Sequence, residues 1–87
     1  MHVIKNQLIK SATSTAANYR ATCRAKSKAD FISKLGIVHE EADETLFWLE
    51  LLKELDHKSA ELDSLTKESE EILRIVAKSL ATSRANK

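Results

Sequence analysis

At 87 residues the chain is long enough for one small domain and too short for two independent cores. One glycine, no proline and one cysteine exclude a turn-rich sheet, a glycine-rich phosphate loop and an intrachain disulfide. The formal charge of +1 hides a partition: residues 1–34 carry +6, residues 35–73 carry −9 and residues 74–87 carry +4.

The spacing of apolar residues predicts three helices in a single domain spanning 1–87. The first covers about residues 3–26, where Ile4, Leu8, Ala12, Thr15, Tyr19 and Cys23 recur every three or four positions on one face. Its middle, Ser11 to Ala17, consists of small side chains that allow another helix to approach closely. The second helix, about 28–55, opens after Ser27. That hydroxyl suits the Asp30 N–H, and the Asp30 carboxylate is expected to reach back to the N–H of Ser27. Phe31, Leu35, Val38, Ala42, Thr45, Leu49 and Leu52 follow at steps of four and three, a heptad seam that marks the central helix. Trp48, Leu51 and Leu55 form a second apolar stripe beside it. Polar Asp56 to Ser59 separate this helix from a third, about 59–82, with Leu62, Leu65, Ser69, Ile72, Val76 and Ser79 in register. Fraying is expected from Ala81 onward.

No apolar run approaches the roughly 20 residues that cross a bilayer, and the first ten residues lack the order of a secretory signal. With a single cysteine, this points to a cytoplasmic protein. Cys23 is expected as a small, partly buried thiol on the apolar stripe, since no histidine stands near it to make it a nucleophile. Glu54 and His57 match the Glu-x-x-His pattern of dimetal bundles once, where two copies are needed, so no metal or other cofactor is expected. Glu41, Glu44 and Trp48 share a helix face opposite Asn18, Tyr19 and Arg20. A buried polar cluster of Asn18, Tyr19, Glu41, Glu44 and Trp48 is therefore expected to set the packing register, with no catalytic role. Arg20, Arg24, Lys26 and Lys28, with Lys34 one to two turns on, fall at the end of one helix and the start of the next. They gather at one rim, as a surface for phosphate would. The competing reading is a solvated basic face whose charge is balanced by the acidic helices.

Ser11, Ser14, Ala17-Asn18-Tyr19-Arg20, Ser27-Lys28-Ala29-Asp30-Phe31-Ile32, Lys34-Leu35, Glu41-Ala42, Glu44-Thr45 and Trp48-Leu49 with Leu51-Leu52 resemble the bacterial four-helix-bundle proteins named for intervening sequences of 23S rRNA genes. The resemblance spans about Ile4 to Leu55. It implies an all-α antiparallel bundle assembled into a cyclic homopentamer, without established enzymatic activity. A related fold, the accessory protein of diversity-generating retroelements, binds nucleic acid and a reverse transcriptase, an analogy of fold. Family members usually carry a further helix ahead of the one holding Asn18 and Tyr19. Its absence would leave Ile4, Leu8, Leu46 and third-helix residues uncovered unless oligomer contacts or a rearranged three-helix packing cover them. His39-Glu40 stands where the family commonly has an apolar residue and a lysine.

These readings converge on an oligomeric all-α bundle with three visible helices, acting as a non-enzymatic scaffold with RNA or DNA as its partner. The alternative is a protein–protein interaction module that presents the small-residue face of the first helix.

Overall fold

Ser27 sets the architecture. In a computed structural model that describes residues 2–55 and 59–85, it stands in extended backbone (φ −158°, ψ 168°), and its hydroxyl oxygen accepts the Asp30 N–H at 3.0 Å. The Asp30 carboxylate accepts the backbone N–H of Lys26 at 3.1 Å, one residue earlier than the expected Ser27 N–H. That bond takes the Lys26 donor away from any helical carbonyl. The preceding residues tighten accordingly: the N–H groups of Arg24 and Ala25 donate to Ala21 and Thr22, three residues back. The first helix, α1, therefore spans His2–Thr22 and stops four residues short of its predicted end.

The second helix, α2, spans Lys28–Glu54, and the third, α3, spans Ala60–Ala85; no strand occurs among the described residues. Ser59 caps α3 by accepting the Leu62 N–H at 3.0 Å. The predicted break falls where expected, although Asp56, His57 and Lys58 lie outside the described residues. The fraying predicted from Ala81 is not observed as far as Ala85. Leu80 is buried on α2, which anchors the last turns of α3, and Arg84 suits the negative end of the helix dipole.

The seam predicted for α2 is the core. Leu35, Val38, Ala42, Leu49 and Leu52 are buried, with Phe31 and Thr45 half-buried. Toward one end Leu35 and Val38 meet Val76 and Leu80 of α3, with Phe31 and Ile32 packed alongside. Toward the other end Leu49 and Leu52 meet Leu62, joined by Ile4 and Leu8 of α1. Ile4 and Leu8 are thus covered by the three-helix packing itself, one of the two expected ways, and Leu46 is half-buried. Both clusters make α1 and α3 antiparallel to α2. The outer helices pack on α2 and not on each other.

α1 reaches α2 through hydroxyls. Ser11 and Thr22 are its buried residues, and Thr15 is half-buried. Ser11 Oγ donates to the Leu8 carbonyl at 3.1 Å, Thr15 Oγ1 to Ser11 at 2.8 Å and Thr22 Oγ1 to Asn18 at 2.8 Å. Each hydroxyl is satisfied within its own helix, so it can be buried without leaving an orphan donor. Thr45 Oγ1 lies 2.9 Å from the Glu41 carbonyl oxygen and 3.2 Å from Ser11 Oγ, and its single proton serves one acceptor at a time. This close contact sets the height of α1 on α2. Ser11→Leu forces two further heavy atoms into it and lowers stability by about 1–3 kcal/mol, whereas Ser11→Ala stays within about 1 kcal/mol. Urea denaturation of the two variants separates these outcomes.

Candidate nucleic-acid interface

The three helices sort charge along the long axis of the molecule, whose Cα atoms span 44 × 20 × 15 Å. Antiparallel packing brings the end of α1, the start of α2 and the end of α3 to one end. Residues 18–40 and 74–85 hold eight Lys/Arg against Asp30 and Glu40, a formal +6. Residues 2–17, 41–55 and 59–73 hold four lysines against ten carboxylates, a formal −6. Arg74, Lys78 and Arg84 of α3 thereby join the predicted basic set. Sequence spacing missed this grouping, because it depends on Val76 and Leu80 docking beside Leu35 and Val38.

Arg20, Arg24, Lys26 and Lys28 are all exposed around the connector at residues 23–27. Lys34 is partly committed: its Nζ donates to Asp30 Oδ2 at 3.0 Å, one helical turn away. A second ion pair joins Lys53 to Asp63 at 3.2 Å, and no described carboxylate pairs with Arg20 or Arg24. Throughout its length α1 carries cations and no acid.

Asp30 organises this end. The Lys26 N–H and then the Lys34 ammonium hold its carboxyl below the ordinary aspartate value, outweighing the desolvation that opposes them. A depressed carboxyl pKa contributes stability above the unfolded value, about 3.9, and loses it as the pH falls through the folded value. Asp30→Asn is therefore less stable than wild type at neutral pH, and the gap closes as the pH is lowered past that window. Urea midpoints at a series of pH values check the convergence; a pH-independent gap contradicts it.

The predicted polar cluster does not assemble. Trp48 Nε1 donates to Glu44 Oε1 at 3.3 Å on the same helix, and the Phe47 ring stands edge-on at 5.0 Å. Tyr19 is 54% exposed, and no described hydrogen bond joins Glu41 to Asn18, Tyr19 or Arg20. The interhelical register comes instead from Ser11 and Thr45. The available signal was the three-to-four spacing of Ser11, Thr15, Asn18 and Thr22. Cys23 is exposed, contrary to the expected partly buried thiol, as is Tyr19 one turn earlier on the same stripe.

Glu54 is exposed, and its predicted partner His57 lies outside the described residues. Among the described residues no group of three or more His, Cys, Asp or Glu side chains could hold a metal, and no helix is long and apolar enough to cross a membrane. Between α1 and α3 an open groove runs over α2, walled by Ala12, Thr15 and Tyr19 on one side and Leu65, Ile72 and Ile75 on the other.

Comparison with known proteins places these features. A family model described as 23S rRNA-intervening sequence protein matches residues 1–78. A solved structure, a protein with unknown function from the S23 ribosomal protein family of Bacteroides thetaiotaomicron, is similar at 39% identity with a TM-score of 0.82. The match covers 90% of this chain and 73% of that one. No curated protein matches the chain. With a family model matching residues 1–78 and a solved relative 39% identical over 90% of its length, the chain belongs to the 23S rRNA-intervening sequence protein family.

Proposed function

We propose that this protein is a non-catalytic, self-associating scaffold that binds the phosphate backbone of RNA or DNA through its basic end. The observation that carries the reading is the convergence of Arg20, Arg24 and Lys26 with the basic C-terminal half of α3 at one end of the molecule, Arg20 and Arg24 lacking described carboxylate partners. Aromatic side chains do not interleave with these cations, so binding is electrostatic and blind to sequence. Self-association places several basic ends on one polyanion and raises avidity. The exposed thiol of Cys23 fits a reducing, cytoplasmic setting. The competing role, docking another protein on the small-residue stretch of α1, would engage Ala12, Thr13, Ala16 and Ala17, which are exposed, whereas Ser11 is buried against Thr45 of α2.

Fluorescence anisotropy with a labelled RNA duplex tests the proposal. Four phosphate contacts give a slope of about −3.6 for log K against log salt, hence an affinity loss of roughly 150-fold between 50 and 200 mM. Absence of binding by the folded protein at low salt, or binding insensitive to salt, overturns it.

A further inference from the structure

A hollow of about 250 Å³ opens between α2 and α3 at the basic end, and α1 takes no part in it. Gly36, Ala77 and Ala81 form its floor, and His39, Glu40 and Arg84 stand around it. Gly36 lies inside α2, where glycine weakens a helix relative to alanine. No close approach requires it, because a Cβ there would meet nothing within 4 Å. The glycine keeps the hollow open at a cost to the helix.

The polar groups around the hollow are uncommitted. Among the described residues, none of His39, Glu40 and Arg84 forms a hydrogen bond or an ion pair. Leu35 and Val38 pack on Val76 and Leu80, so antiparallel docking puts Glu40 beyond one end of that cluster and Arg84 beyond the other. The step from Ala77, at the Glu40 end, to Arg84 covers about 10 Å of helix axis. A ligand that engages both must carry distinct groups at its two ends.

A carboxylate only accepts hydrogen bonds, an imidazole N–H donates one, and a guanidinium forks onto phosphate. The Watson–Crick edge of guanine presents two adjacent donors, N1–H and the N2 amino group, beside the O6 acceptor. Glu40 can take both donors and His39 can donate to O6, while Arg84 at the far end takes a phosphate. Adenine and cytosine turn an unprotonated ring nitrogen toward the carboxylate, and uracil offers it one N–H between two carbonyls, so these bases are repelled or half-satisfied. The small side chains of the floor admit a flat ring close to the backbone. We propose that the hollow binds guanine carrying a phosphate, as a free nucleotide or as an unpaired guanine in a single strand. The strand form rests on the proposed nucleic-acid binding, in which the connector cations hold phosphate without reading bases; the free-nucleotide form does not.

Two arms test this with the full chain. Equilibrium dialysis compares GMP with AMP, and fluorescence anisotropy compares oligouridine with the same strand carrying one central guanine or one central adenine. Guanine is expected to be preferred by at least about five-fold, the lower end for a bidentate base contact. Preference in dialysis alone assigns the hollow to a free nucleotide, and preference in the strand alone assigns it to single-stranded nucleic acid. Glu40→Ala should remove the preference while oligouridine binds as before. Gly36→Leu should fill the hollow and remove it too, without lowering the thermal midpoint, because leucine favours the helix and its Cβ enters open space. A glycine with a merely structural role gives a lower midpoint instead. Equal binding of guanine and adenine in both arms, or a preference that survives either variant, overturns the proposal. Oligouridine binding without guanine preference leaves the phosphate-binding reading standing, whereas GMP binding without any strand binding overturns that reading and not this one.

Discussion

Leu49→Ala lowers the unfolding free energy by about 3 kcal/mol, within the 2–5 kcal/mol range of buried leucine truncations. Leu49 is 3% exposed and sits where all three helices meet: Leu52 beside it on α2, Ile4 and Leu8 of α1 on one side, Leu62 of α3 on the other. Removing its isobutyl group leaves a cavity bounded by three elements, none of which can collapse without lifting off the others. In a domain this small, the loss is a large share of total stability. Urea unfolding followed by circular dichroism should show a lower midpoint with a similar slope. Leu55→Ala, at the exposed C-cap of the same helix, should change stability by less than about 1 kcal/mol and serves as the control. Equal effects at the two positions would mean that α1 and α3 do not share this cluster.

Reversing Arg20, Arg24 and Lys26 together to Glu abolishes retention on nucleic acid. The three exposed side chains contribute about three quarters of a four-phosphate contact, and reversal adds repulsion to the lost attraction. The expected signature is a loss of at least about 100-fold at 50 mM salt together with a flat dependence on salt. The fold should survive, because none of the three side chains supports the core; the backbone N–H of Lys26 that Asp30 uses is retained by any residue other than proline. Reversing Lys5 and Lys10 at the opposite end of α1 should weaken binding less. If both sets act alike, the polyanion follows the length of α1 and is not held at the basic end.

The buried seam of α2 was legible from spacing alone because Phe31 to Leu52 repeats every three and four residues, and tertiary packing uses that stripe directly. Ser27 was legible because a cap is a local device. The end of α1 was not. It depends on which N–H the Asp30 carboxylate takes, a choice made by the turn. Tyr19 has the spacing of a core residue, but it faces the side of α1 where no helix stands, so periodicity reported an apolar stripe without reporting whether anything covers it. The candidate interface was half legible. Arg20, Arg24, Lys26, Lys28 and Lys34 are clustered in sequence, whereas Arg74, Lys78 and Arg84 join them only through the antiparallel docking of α3. The pairing of Lys34 with Asp30 shows the reverse case, in which a neighbour one turn away claims a cation that the charge count leaves free.

The central physical claim is that three helices arranged around α2 leave one apolar side open, and the proposed self-association rests on that side. Sedimentation equilibrium of the wild-type chain across the micromolar range, in moderate salt and without nucleic acid, measures this most directly. The proposed self-association predicts a concentration-dependent mass that rises to a multiple of 9.8 kDa. A helical particle that remains at 9.8 kDa at every concentration contradicts it.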